Sequence, residues 1–207
     1  VFVKRLGHIV VRPEIQGLDL SRLVLSAAIL SSAVLPLGAS NTFSGAVILR
    51  GGVTSIDGAD RLGDGSVTNT LTFAGGALQA TNSFALGVNR GPIIGLGDGL
   101  IEVTGSNQLS VNGTLALAAG LTGGVILTKS GPGTLVLSGT NNGAAVSTNV
   151  TGGVLSIAAN TNLGSGRLTL DGGTLQATGS STMTNGINLG AAGGIGDAGC
   201  FHDADAM

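Results

Sequence analysis

Three places in the sequence hold side chains whose type and spacing could do chemistry. Asp57, Asp60, Arg61 and Asp64 form the only dense charged cluster. Clustered acids beside an Arg are what a polysaccharide-cleaving site needs for proton transfer, and the same oxygens could contact calcium or a sugar. Cys200, His202, Asp203 and Asp205 superficially resemble a ligand set. One Cys and one His near a chain end cannot close a tetrahedral metal site, so this segment reads as a solvated tail. Gly95-Leu96-Gly97-Asp98-Gly99 and Gly193-Gly194-Ile195-Gly196-Asp197 invite comparison with the calcium repeat G-G-x-G-x-D. Here the Asp comes one residue early and no tandem nonapeptides follow, so both read as corner turns.

No G-x-S-x-G elbow, H-E-x-x-H pair or G-x-x-x-x-G-K-[ST] loop occurs. Of the two histidines, His8 lies in the N-terminal segment and His202 in the tail, so neither is placed as a catalytic base. The sequence therefore names no catalytic residue, no metal ligand and no cofactor. Asp57, Asp60 and Asp64 remain as a candidate surface contact in the loop after Ile56. The corresponding loop after Ile157, Ala158-Ala159-Asn160-Thr161-Asn162, carries no charge, which favours a solvated loop at both places.

The elements that would position these residues are written in the composition. Glycine supplies 38 of 207 residues, yet 43% are hydrophobic and only 10% charged, the reverse of a chain too polar to bury a core. Trp and Tyr are absent and the net charge is −2. Stacking platforms and a basic footprint are both missing, which argues against a nucleic-acid partner. The single Cys200 excludes an intramolecular disulfide.

Residues 1–39 differ in kind from the rest. Lys4, Arg5, Arg12 and Arg22 precede an uncharged, mostly apolar run from Leu23 to Leu37, and Gly38, Ala39 and Ser40 follow. This order predicts a secretory signal peptide with an extended basic region, its apolar run helical and shorter than a membrane span. From Ser40 onward five basic residues face nine acidic ones, and between Val103 and Gly166 the only charge is Lys129. Apolar residues alternate there with Thr, Ser and Gly, as in Thr70-Leu71-Thr72-Phe73, Thr134-Leu135-Val136-Leu137 and Leu168-Thr169-Leu170. Period two predicts short strands, and the double glycines between them predict tight corners.

The chain also repeats itself. Gly51-Gly52-Val53-Thr54-Ser55-Ile56 returns as Gly152-Gly153-Val154-Leu155-Ser156-Ile157, and Gly75-Gly76-Ala77-Leu78-Gln79-Ala80-Thr81 returns as Gly172-Gly173-Thr174-Leu175-Gln176-Ala177-Thr178. Offsets of 101 and 97 place small insertions between the blocks, as loops in a repeat array allow. A parallel solenoid explains this better than a sandwich, which would carry aromatic core anchors. It predicts roughly eight rungs of about 20 residues, with Leu135, Leu137, Leu155, Ile157, Leu168, Leu170 and Leu175 inward.

Leu127-Thr128-Lys129-Ser130-Gly131-Pro132-Gly133-Thr134-Leu135-Val136-Leu137-Ser138-Gly139-Thr140-Asn141, followed by Gly152 to Ile157 and Leu163-Gly164-Ser165-Gly166, resembles the autotransporter-associated β-strand repeat of Gram-negative passenger domains. The family pattern is L-T-K-x-G-x-G-T-L-x-L-x-G-x-N, then G-G-x-L-x-V, then L-G-x-G and G-G-T-L-Q. The resemblance covers residues 40–197 and implies an all-β, right-handed parallel β-helix (β-solenoid) after a signal-peptide helix over residues 1–39. It also implies export, an outer-membrane β-barrel translocator as partner, and display at the cell surface or secretion, with a host-surface or glycan ligand for an adhesin. Residues 198–207 leave the family pattern, no barrel segment is present, and the first residue is Val, as in a fragment or frameshifted product. The expected function is a structural, adhesive passenger segment. A β-helical polysaccharide-cleaving enzyme and a non-functional remnant of such a gene stay open beside it.

Overall fold

Short runs such as Thr-Leu-Val-Leu cannot bury a face alone, so each must find the same pattern in a neighbour. The computed structural model of the protein describes residues 22–26, 34–139, 145–180 and 182–197. Its first strands are β1 (Arg22–Ser26), β2 (Val34–Leu37), β3 (Ala46–Gly51), β4 (Val53–Ile56), β5 (Leu71–Phe73), β6 (Ala77–Ala80) and β7 (Phe84–Ala85). The middle holds β8 (Pro92–Ile94), β9 (Gly99–Val103), β10 (Gln108–Val111), β11 (Ala116–Leu117), β12 (Val125–Ser130) and β13 (Thr134–Leu137). The last are β14 (Val146–Val150), β15 (Val154–Ile157), β16 (Leu168–Leu170), β17 (Thr174–Ala177), β18 (Ile187–Leu189) and β19 (Ile195–Asp197).

Every ladder among them is parallel. They form a five-stranded sheet β1-β3-β5-β8-β11, an eight-stranded sheet β18-β16-β14-β12-β9-β6-β4-β2 and a six-stranded sheet β19-β17-β15-β13-β10-β7. Each strand pairs with its equivalent one coil away, so the fold is a parallel β-solenoid of about seven turns. The turns are fewer than eight because the earlier ones are longer. Val47 pairs with Leu71 and Gln108 with Thr134, whereas Thr134 pairs with Val154, only twenty residues on.

The inward columns are aliphatic. Leu109, Leu135, Leu155 and Leu175 stack in register, and each is fully buried. Leu137, Ile157, Leu168 and Leu170 are also buried, as period two predicts. Each such side chain contributes about 1.5–3 kcal/mol on burial. Corners between columns admit little bulk. At Gly153, with φ of 62°, a Cβ would stand 2.3 Å from the Gly133 carbonyl oxygen and 2.4 Å from that of Gly131. Both the left-handed backbone and the space demand glycine there.

The internal repeat folds twice into the same shape but on different faces. β3, Gly51-Gly52 and β4 turn the corner between the five- and eight-stranded sheets. The matching β14, Gly152-Gly153 and β15 turn the corner between the eight- and six-stranded sheets. In the coil of β3 and β4 the third side is a loop with a one-turn 3-10 helix, Ala59–Leu62, and in the coil of β14 and β15 it is a loop with another, Asn160–Asn162. Between them the coils carrying β5 to β13 have strands on all three sides, which advances the pattern by one face. Nothing in an inward Leu or Val column ties a strand to one side, so the shift costs no packing.

Of the segment 1–39 expected to be a helical signal peptide, residues 1–21 and 27–33 lie outside the described residues. Its described parts are strands: β1 pairs with β3, and β2 with β4. Paired structure therefore extends to the N-terminal side of Ser40. The tail 198–207, with Cys200, His202, Asp203 and Asp205, also lies outside the described residues.

Candidate functional site

The charged loop follows β4, where the chain leaves the eight-stranded sheet and has no strand to form. Its short 3-10 turn, Ala59–Leu62, buries Leu62 and leaves Asp60 outward. Arg61 gathers two of the three acids: Nε donates to Asp57 at 2.6 Å and Nη1 to Asp60 at 2.8 Å. Ser40 Oγ donates to Asp60 as well. The Arg61 hydrogen bond holds the Asp57 carboxyl below its ordinary value. Asp64 stands apart and accepts the Ser66 N–H at 2.9 Å, which lowers its carboxyl in the same sense. The structure thus brings Asp57 and Asp60 together around Arg61 and leaves Asp64 out. Arg61 ties the two gathered carboxylates, each through one oxygen, into a clasp across the loop.

Such exposed pairs contribute about 0–1 kcal/mol. A carboxyl lowered in the folded state stabilises above its unfolded value of 3.8, and that contribution is lost as pH falls through the folded value. Asp57→Asn is therefore expected to cost less than about 1 kcal/mol in urea unfolding at neutral pH, and less again in high salt. A loss of several kcal/mol would show that the clasp holds the solenoid itself.

Beneath the loop lies a buried polar network that sequence reading did not find. Arg90, 3% exposed, donates through Nε and Nη2 to Asn69 Oδ1 at 2.8 and 2.5 Å. Its Nη1 reaches the Ala59 carbonyl and its Nη2 that of Gly63, each at 2.7 Å. Asn69, fully buried, passes its own N–H groups to the carbonyls of Gly45 and Leu62. Carbonyls that a loop would otherwise bury unpaired are satisfied here by one guanidinium and one amide.

The second buried cation is Lys129, on β12. Alternation places Val125, Leu127 and Lys129 inward, and Lys129 is fully buried between Ile101 and Val150. Its Nζ donates to the carbonyls of Ser130, Gly131 and Gly152 at 2.7, 2.9 and 3.0 Å. Burial pushes the amine down to about 8, against the pull of Glu102.

On the outer side of the eight-stranded sheet runs a shallow groove of about 640 Å³, lined among others by Gly52, Gly75, Asp98, Glu102, Thr128 and Ser130. Its two carboxylates are engaged within the fold. Asp98 Oδ1 accepts the Ile126 N–H at 2.8 Å, and Glu102 accepts from Gln79 Nε2 at 2.9 Å. Asp98, with φ of 66°, turns a corner between Gly97 and Gly99, as its motif predicted. Among the described residues no three of His, Cys, Asp and Glu converge as metal ligands.

What the geometry defines is a parallel β-solenoid with aliphatic columns, glycine corners and, among the described residues, two buried cations that satisfy corner and loop carbonyls. No family model, no curated protein and no solved structure matches the chain.

Proposed function

We propose that the chain is a structural, adhesive passenger segment of the autotransporter kind, a stiff rod that supports outer-membrane translocation and display. The observation that carries this reading is the unbroken parallel stack: each strand bonds only to its equivalents one coil before and after. A rod of this kind folds by adding coils to an existing end, without distant parts of the chain having to meet. That property suits a chain emerging through an outer-membrane β-barrel translocator, where coils formed outside oppose backsliding. The work is mechanical and asks for no catalytic group, so the chain is proposed to be no enzyme. Its place is the surface of a Gram-negative bacterium or the medium, with a host-surface or glycan ligand and no nucleic acid.

The test is fusion to a β-barrel translocator, with display read as protease-accessible protein on intact cells. Leu135→Asp and Gly153→Val are expected to reduce display several-fold, whereas Asp60→Ala and Asp64→Ala leave it unchanged. Display that survives the first pair and fails with the second would overturn the scaffold reading.

A further inference from the structure

Aliphatic columns hold strands together without deciding which residue stacks on which. β12 presents Val125, Leu127 and Lys129 inward, and it lies between β9 and β14. A slip of two residues keeps every inward side chain inward, because the side-chain period is two. Leu127 stands between Gly99 and Thr148 in the present register and would meet an aliphatic neighbour, Ile101, Val146 or Val150, after a slip either way, at little cost. The corner after β12 closes one direction of slip, because Gly131 has φ of 74° and a Cβ there would stand 2.5 Å from the Val103 carbonyl oxygen; the opposite slip brings another glycine, Gly133, to that place.

Lys129 removes this degeneracy. Its ammonium is satisfied only where three carbonyls converge, two from its own corner and one, Gly152, from the corner a coil later. A two-residue slip back along the strand would carry it roughly 7 Å from the Gly152 carbonyl, the one of the three that belongs to the neighbouring coil, to a place between Gly99 and Thr148 where one hydroxyl stands instead. A buried ammonium that loses part of its hydrogen bonding costs more than an exchange of Leu for Val. We propose that Lys129 is a register pin, a buried cation that fixes the pairing of β12 with β14 at the coil where the glycine corners change edge. A buried charge at such a place specifies a structure rather than stabilising it, and registry is the best-attested use of buried polar groups. The lowered amine agrees, since burial opposes the charged form more than the contacts favour it.

The experiment uses the full chain and Lys129→Met, a side chain of similar length without charge. The urea midpoint is expected to stay or rise. Amide resonances of Gly133 and Val154, which donate to Val103 and Gly133 in the present register, are expected to double and to lose at least tenfold in exchange protection. A single set of resonances with unchanged protection overturns the proposal. If the Met variant does not fold, the wild-type chain decides the matter. Among the described residues Glu102 on β9 is the one charged group acting on Lys129, and β13, β14 and residues 151–153 bring no titratable side chain. Between pH 8 and 10.5 the native chain binds fewer protons at Lys129 than the unfolded chain, so stability rises with pH. The same interval should bring the second set of resonances as the pin loses its charge. One register throughout, at constant stability, overturns the proposal.

Discussion

Leu135→Asp is expected to abolish the folded state of the coils around it. Leu135 is fully buried between Leu109 below and Leu155 above. Removing the leucine costs about 2–5 kcal/mol as a large-to-small change. The carboxylate left in its place, with no partner, costs several kcal/mol more or stays protonated at a similar penalty. Together these rival the whole stability of a typical domain, about 5–15 kcal/mol. Thr134→Asp changes the neighbouring residue, which faces outward beside Gln108 and Val154, and should cost below about 1 kcal/mol. Urea unfolding followed by circular dichroism separates the two. Equal midpoints for the two variants would mean that the columns are not the core.

Gly113→Ala carries the second large effect, for a reason unrelated to backbone angles. Gly91, Gly113 and Gly139 lie over one another in consecutive coils at the edge opposite the eight-stranded sheet. A Cβ on Gly113 would stand 2.2 Å from the Gly91 nitrogen and 2.6 Å from the Val88 carbonyl oxygen, and a Cβ on Gly139 would stand 2.3 Å from the Gly113 oxygen. Backbone on both sides cannot swing away as a side chain can. The coils must part or the ladders break, at about 3 kcal/mol or more. Gly38→Ala is the control, because a Cβ there meets nothing within 4 Å. Thermal unfolding of the two should differ by well over 5 °C for a chain of this size. A Gly113→Ala chain as stable as the Gly38→Ala chain would mean that the coils are not closely stacked at this edge.

Much of this architecture is legible in the residues. Alternation in Thr134 to Leu137 and Leu168 to Leu170 assigns the inward side chains correctly, because period two leaves no other choice once one face is buried. The double glycines mark corners for the same reason: few other residues fit both the turn and the space. The change of face between the two repeats leaves no trace, since all three sides of the coil accept the same strand. Lys129 carries a signal of its own in the sequence. It stands at the inward parity of β12, two residues after Leu127, and a charge at that parity must reach a corner or a partner. Arg90 gave none, because it lies in a loop turn, Val88–Arg90, where no period applies. The acidic loop lies at the surface, but spacing alone does not show that Arg61 engages Asp57 and Asp60 and leaves Asp64 aside.

The parallel ladders also decide how such a rod bears load. Hydrogen bonds between coils run along its length, and the backbone runs across it. Tension applied at the two ends therefore falls on the outermost ladder first, which opens while the coils behind it stay closed. Each coil that opens, such as the twenty residues from Thr134 to Val154, releases up to about 70 Å of slack. Force is dissipated coil by coil instead of in one rupture, and a coil that has come away can wind back onto the intact end when the pull relaxes.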